Sequence, residues 1–591
     1  MKALKHIGTF FNWLQTRLRP DVFILILAAI IGVLAGISSF LLKTFVYKID
    51  QFVTNFSIDT EIDYLYLITP GIGIILTWLL FRYLIKDETK HGIPRILFVI
   101  SRLDGKMKYH KAFSSMLGGA LTAGFGGSIG LESPIISSGS SFGSGIGQIL
   151  KLNYKTKTLL IGCGAAGAMA SIFTTPVAAI VFALEVLMLD LTTASIIPLL
   201  VASAMGAITA KYLISEALLF NFSSNSPFDT SVIPFYLVFG VIAGFVSLYF
   251  SHMHFVIARV FSGFKKKRTK LLVGTLSLGT LIFLFPALYS EGYEMIRHIM
   301  IGEAESILTQ SFFYEYREYT FVFLGYIVLL ILLKIIAASI TIEAGGIGGI
   351  FAPAAVTGGL LGFLFSRVVN VISPSTNLHE DNFSLIGMSA LLAAVLHAPL
   401  TAIFLVVEMT NGYGLIVPLM LVTAIAYVTN RTFNSHSIFT KRLAEQGNLI
   451  THHKDQTVLT LLQVSHVIDT DLKIIHPENT LLQLTQLISK SKRNIFPVVD
   501  DEKNYYGLVD MDDVREVMFQ PEKYKTSIET YMRQAEEHVS RKDTMETVMQ
   551  KFKNTGYYNL PVIDDGKYIG FVSRANIFTA YREVLNELSD H

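Results

Sequence analysis

The sequence predicts a membrane-embedded all-α bundle of broken helices, built from two duplicated halves, with a small soluble α+β module at its C-terminal end. Three observations carry this. Apolar runs fill residues 21–445, whereas from about residue 446 the 591-residue chain turns charged and mixed. Many of the apolar runs are short and interrupted by Gly, Pro and Ser, so they cannot all be plain spanning helices. Finally, a set of Gly, Pro and Glu landmarks recurs in order. Half of the residues (51%) are hydrophobic and only 16% are charged, which excludes an ordinary soluble enzyme.

Residues 1–20 carry Lys2, Lys5, Arg17 and Arg19 between Ile7, Phe10, Phe11, Trp13 and Leu14. That is the pattern of a basic amphipathic segment lying on a membrane surface. A cleaved signal peptide fits less well, because the run Val22 to Phe45 is long and lacks a clear cleavage site. Val22–Phe45 and Tyr64–Ile85 each reach the roughly 20 residues that a span needs. Further long runs begin near Ala194, Ile233, Leu271, Thr320 and Leu415. Shorter, broken runs cover about 91–101, 113–125, 133–150, 158–170, 175–189, 350–368 and 384–408. Non-spanning helices whose ends meet at mid-membrane are the mark of secondary transporters and channels.

Orientation follows from the basic loops. The N-terminal segment, Arg82–Lys111, Lys265–Arg268 and the pair Lys441 and Arg442 are expected on the cytoplasmic side. The acidic segment 288–318, with Glu291, Glu294, Glu303, Glu305, Glu315 and Glu318, is expected to face outward. Both termini are then cytoplasmic, in a plasma (inner) membrane protein.

The repeat is specific. Gly130-x-x-x-Pro134-x-x-x-x-Gly139 recurs as Gly349-x-x-x-Pro353-x-x-x-x-Gly358. Phe173-Thr174-Thr175-Pro176 followed by Glu185 recurs as Leu396-His397-Ala398-Pro399 followed by Glu408. The offset is about 220 residues, and duplicated halves place a binding site at their interface. Each glutamate lies nine residues after its proline, two and a half helical turns on. Two roles suit the pair: a structural one at helix ends, or proton and ion handling.

Within the first half, Gly127-Ser128-Ile129-Gly130-Leu131-Glu132-Ser133-Pro134 puts one carboxylate inside a run of small residues. A glycine turn, then Leu131 and Glu132, with Pro134 in the first turn, reads as a helix start. A helix N-terminus offers free N–H groups and roughly half a positive charge, which suits an anion. Glu132 either competes with a small anion for that site or caps its own helix. An ionisable group at membrane depth costs on the order of 2.5–3.5 kcal/mol by insertion scales, so it usually lines a pathway or finds a partner.

These motifs resemble the CLC family of chloride channels and proton-coupled chloride antiporters. Lys90-His91-Gly92-Ile93-Pro94 resembles the first anion-binding loop, Gly130-Leu131-Glu132-Ser133-Pro134 the second, and Gly349-Ile350-Phe351-Ala352-Pro353 the third. The resemblance implies an inverted-repeat CLC-type bundle, a homodimer in the lipid bilayer, and one pore per subunit. It implies that His91, Gly92, Ile93, Gly130, Leu131, Gly349, Ile350, Phe351 and Phe439 surround the anion and that Glu132 is the gate. Chloride is large and weakly basic; helix N-termini replace its hydration without trapping it. A carboxylate takes the same donors when ionised and releases them when protonated.

Three departures from the family pattern stand out. His91 occupies a position usually held by a serine that touches the central anion. An imidazole N–H donates too, or the ring turns away from the pore. Phe439, in Ser437-Ile438-Phe439-Thr440, stands where a tyrosine is common, and loses its hydroxyl. Val186 stands where antiporters often carry an inner proton-transfer glutamate. Valine carries no proton, which favours a channel over a proton-coupled antiporter. Glu185 is one residue away, about 100° round a helix, and points elsewhere. Fluoride transport, known within the family, has no positive motif here.

From Val464 the pattern becomes short strands and helices, after a linker at 446–463. Phe496–Asp500 leads to Gly507–Val514, and Asn559–Asp564 leads to Gly570–Ile577, each reading strand, turn, strand, helix. This resembles a tandem pair of CBS domains, at 464–523 and 524–588, following a transmembrane domain at 21–445. Such pairs often bind adenine nucleotides. Asp513, Ser573 and Asn576 are candidate contacts for ATP or AMP, although the carboxylate of Asp510 would repel a phosphate. A dimerising module without ligand is the competing reading.

The net charge of +2, without a basic tail, gives no sign of nucleic acid as a partner. The single cysteine, Cys163, excludes an internal disulfide framework and any cysteine-rich metal site. An intramembrane enzyme would need a nucleophile–base or metal constellation. His91, His397 and His436 do not share one helix at ligand spacing, and Ser137, Ser138, Ser140 and Ser141 lack a partner base. The chain is therefore read as a non-enzyme that needs no cofactor, with chloride as its bound ion. A pure scaffold would need neither Glu132 nor three glycine-rich loops.

Overall fold

The computed structural model describes residues 17–55, 64–87, 92–189, 192–213, 230–410, 412–445 and 462–589. His91, most of the N-terminal basic segment and most of the 446–463 linker lie outside them. The chain divides into two units, Met1–Leu449 and Ile450–His591.

The first unit is helical throughout. Among the described residues, eight helices are long and apolar enough to span: Pro20–Thr54, Leu65–Ile85, Tyr154–Phe173, Ala194–Leu213, Ile233–Ser262, Thr320–Ala344, Phe351–Ile372 and Ile416–Phe433. The run expected from Leu271 is the helix Lys267–Leu284, whose first turn holds Lys267, Arg268 and Lys270. The shorter helices among the described residues are Ile93–Arg102, Lys111–Gly124, Glu132–Ile149, Pro176–Glu185, Tyr293–Met300, Glu380–Leu396, Pro399–Met409 and Lys441–Glu445. This is an integral, multi-pass membrane architecture of whole and broken helices.

The breaks repeat between halves. Tyr154–Phe173 ends at Thr174 in the left-handed region (φ 59°, ψ 33°), and Pro176 opens the next helix. Glu380–Leu396 ends at His397 (φ 56°, ψ 42°), and Pro399 opens the next. The broken run 384–408 is thus two helices. Proline fits best in the first turn, where its missing N–H has no intrahelical partner anyway.

Helix crossings repeat as well. Glu132–Ile149 packs on Tyr154–Phe173, as Phe351–Ile372 packs on Glu380–Leu396. A Cβ on Gly139 would lie 2.1 Å from the Gly164 carbonyl, and one on Gly358 would lie 2.2 Å from that of Gly387. One turn on, a Cβ on Gly143 would lie 1.9 Å from the Leu160 carbonyl oxygen, and one on Gly362 would lie 1.8 Å from that of Phe383. Small residues let the backbones touch, which is the main source of helix association inside lipid.

The two short helices Pro176–Glu185 and Pro399–Met409 cap each other. Glu185 accepts from the Leu400 and Thr401 amides at 3.1 and 2.8 Å and from the Thr401 hydroxyl at 2.7 Å. Glu408 accepts from the Val177 and Ala178 amides at 3.0 and 2.8 Å. Each glutamate lies at the end of its own helix and satisfies amides at the N-terminus of the other half's, the geometry of a structural cap.

The second unit holds two copies of one motif. Strands β2 (Ile495–Val499) and β3 (Tyr505–Asp510) pair antiparallel, as do β4 (Asn559–Asp564) and β5 (Lys567–Ser573). Strand β1 (Ile468–Asp469) adds to β5. Each hairpin has its register shift at the same place, after Val498 and after Val562. Phe496, Val498, Leu481 and Leu484 fill one core; Leu560, Val562, Val548 and Phe552 fill the other. The copies meet where Tyr505 and Tyr568 stack, with centroids 6.2 Å apart.

Gly358→Val should force the two helices apart and cost about 1–3 kcal/mol, as overpacking does. Gly325→Val, where a Cβ meets nothing within 4 Å, should leave stability unchanged. Thermal unfolding in detergent compares them; equal midpoints would contradict the crossing's importance.

Candidate functional site

Three helix N-termini converge in the first unit. Ile93–Arg102 follows Gly92 (φ 88°), Glu132–Ile149 follows Leu131, and Phe351–Ile372 follows Ile350. Ser133 lies at the meeting point. A Cβ on Gly92 would lie 2.3 Å from its Oγ, and one on Gly349 would lie 2.7 Å from its Cβ. The second and third loops are clasped: Gly130 N–H donates to Gly349 O at 2.8 Å and Gly349 N–H to Gly130 O at 2.9 Å. Those two amides are engaged with each other, so these glycines join the loops. The first-turn amides beyond them, including those of Ile350 and Phe351, have no intrahelical acceptor.

Glu132 is fully buried (0% exposed). Its Oε1 accepts from the Tyr293 hydroxyl at 3.0 Å. Its Oε2 makes no hydrogen bond of full geometry among the described residues and lies toward the Ala352 backbone N–H. That oxygen lies over Gly130: a Cβ there would be 2.0 Å from it and 3.0 Å from Ala352 N. The Glu132 carboxylate thus reaches back from its own helix toward the start of the other half's helix. The Phe173 ring packs against both Tyr293 and Phe351, with centroids 6.2 and 5.8 Å apart.

Sequence reasoning missed part of the surroundings. Glu291, expected in an outward-facing acidic segment, accepts the Leu131 N–H on Oε1 at 3.1 Å. Lys334, 0% exposed, donates to Ser290 O at 2.9 Å and Leu288 O at 3.3 Å. Lys43, also buried, donates to Ile172 O at 2.8 Å. Both lysines stand alone in apolar runs, which was the available signal.

Val186 is buried at the end of Pro176–Glu185, its N–H donating to Phe182 O at 2.9 Å. Phe439 is buried in a turn where Ile438 N–H donates to Val395 O at 3.3 Å.

In the second unit a cavity of about 570 Å³ lies between the two copies, lined by Lys492, Arg493, Asp510, Arg533, Tyr557 and Ser573, among others. Asp513 and Asn576 are not among its lining residues. Asp513 bonds the Asp510 amide at 3.3 Å and pairs with Arg533; the Asn576 amide donates to Ser573 Oγ at 3.0 Å.

This arrangement defines an anion-transport protein: helix N-termini of two repeats clasped around a buried carboxylate. The voltage gated chloride channel family matches residues 72–431, and CBS domains match residues 464–520 and 528–583. The chain belongs to that family, the CLC family, and carries a C-terminal tandem CBS pair. It is 26% identical over 389 residues to a putative chloride channel protein ClcB-like of Ralstonia nicotianae, covering 64% of this chain and 85% of that one. It is 25% identical over 435 residues to the H(+)/Cl(-) exchange transporter ClcA of Vibrio cholerae, covering 71% and 89%. The fold is shared with a slow cyanobacterial Cl-/H+ antiporter (TM-score 0.61, 23% identity, 73% of this chain and 98% of that one). It is shared with a eukaryotic CLC transporter over 94% of this chain and 97% of that one (TM-score 0.59, 15% identity).

Proposed function

We propose that this protein conducts chloride through a CLC-type pore gated by Glu132. The observation that carries the reading is the fully buried Glu132 carboxylate at the convergence of three helix N-termini. Ionised, it occupies donors that an anion needs; protonated, it gives them up. Val186 supports a channel-like mode, since no acid stands at the inner position and Glu185 is held by Leu400 and Thr401. The name of the Vibrio cholerae relative favours a second reading, proton-coupled exchange. His91 and Phe439 in place of hydroxyl donors weaken the central site by about 1–3 kcal/mol if nothing replaces them.

The working unit is a homodimer in a plasma-type membrane, with both termini cytoplasmic. The capped helix pair supports this. At 10 and 11 residues, Pro176–Glu185 and Pro399–Met409 span only about half of a ~30 Å hydrocarbon core. Their glutamates are only partly covered, beside the exposed Val177 and Leu400. Carboxylates at that depth favour burial by a second copy over contact with lipid. A monomer mass in detergent and in bilayer would remove the dimer. The CBS pair is a regulatory nucleotide sensor, a reading supported by a polar cavity whose lining sets Lys492, Arg493, Arg533 and Ser573 among the carboxylates of Asp469, Asp510 and Asp512. Calorimetry of the full chain with ATP and AMP tests it; no heat from either would remove it.

In proteoliposomes with a chloride gradient, current should reverse at the chloride equilibrium potential with no proton movement. Uphill proton transport would establish the exchanger instead. Glu132→Gln and Glu132→Ala should lose most of the dependence of flux on external pH; a wild-type pH profile in both would sink Glu132 as the gate.

A further inference from the structure

The site holds a second carboxylate that the gate reading leaves unused. Glu291 sits in a turn where Ser290 (φ 53°) and Gly292 (φ 92°) both adopt left-handed conformations. The turn directs its side chain inward, onto the N–H of Leu131, the residue before the gate. That N–H is one of the unpaired donors a helix start offers to an anion. Two residues further on, Tyr293 donates to Glu132 Oε1. A single turn therefore touches both the gate carboxylate and the start of the gate's own helix.

The charges around it come from four elements. Lys334, on Thr320–Ala344, ties the turn down through Ser290 O and Leu288 O, and a Cβ on Gly292 would lie 3.1 Å from its Nζ. Lys43, on Pro20–Thr54, is close enough to interact electrostatically with both Glu291 and Glu132. Glu132 and Tyr293 complete the set. Two cations and two carboxylates balance when all are ionised. An entering anion unbalances them, and in a low-dielectric site the whole group feels one proton gained.

We propose that Glu291 is a second proton-sensitive element of the anion pathway: ionised, it holds the Leu131 N–H against the anion; neutral, it lets go. Full access to the outer anion position then requires both Glu132 and Glu291 to be neutral or displaced. The proposal rests on the reading of this site as an anion pathway. It makes Glu291 a positioning residue, acting through the donor it withholds.

The test is chloride flux against external pH in proteoliposomes for wild type, Glu132→Gln, Glu291→Gln and the double variant. Gln is the uncharged isostere: it fills the same space, holds the Leu131 N–H no more tightly than the neutral acid would, and removes the titration. Glu132→Gln should keep a residual rise on acidification of up to about tenfold, the range that one pKa unit of differential interaction supplies. Glu291→Gln should flatten the profile in part, and the double variant should be flat. If Glu132→Gln is already flat, Glu291 is structural, and the gate stands without it. If Glu132→Gln keeps the full wild-type profile, the gate reading itself fails. Should Glu291→Gln not fold, Glu291→Asp in the Glu132→Gln background decides. Its shorter reach should shift the residual profile, and an unmoved profile overturns the proposal.

Discussion

Inside a bilayer no water is available for a loose backbone amide, so a helix that stops short must have its end answered by protein. Much of this structure follows from that constraint. The chain breaks its helices repeatedly, and each break exposes first-turn N–H groups. At Pro176–Glu185 and Pro399–Met409 the answer is permanent: a glutamate from the opposite half takes two amides. At the clasped loops Gly130 and Gly349 answer each other. Beyond the clasp the donors lie beside two carboxylates, Glu132 and Glu291. The same chemistry, a carboxylate on a helix N-terminus, thus serves once as a rivet and, in the function proposed above, once as a competitor for an anion.

The duplication explains how the two uses coexist. Left-handed breaks, glycine crossings and glutamate caps repeat in both halves, which fixes the scaffold symmetrically. The transport site is where the symmetry fails. Glu132 follows Gly130, whereas Phe351 stands at the first helical position after Gly349 and Ile350. One half supplies the buried Glu132, and the other supplies apolar helix-start amides and an aromatic wall with Phe173. Function sits in that difference.

The parts of this that were legible in the sequence are local. Glycine and proline positions, run lengths and the repeated landmarks gave the broken helices, the duplicated halves and the convergence of loops. The nine-residue proline–glutamate spacing marked Glu185 and Glu408 as helix ends, but that each caps the other half's helix is a tertiary fact. Glu291 was hidden because it precedes a run of solvent-type acids, Glu294, Glu303 and Glu305; only the turn at Ser290 and Gly292 separates it from them. Lys43 and Lys334 were visible as isolated charges, yet nothing local pairs them with partners far along the chain. In the soluble unit the doubled strand pattern was plain, whereas Asp513 and Asn576, chosen by position, stand outside the cavity lining that Ser573 joins.

The central claim is that a carboxylate and an anion compete for the same helix donors. Equilibrium chloride binding to the purified protein, wild type against Glu132→Gln, measures this most directly. Competition predicts tighter binding in the variant and, in wild type, binding that strengthens as pH falls. Equal affinity in the two proteins at all pH values would contradict it.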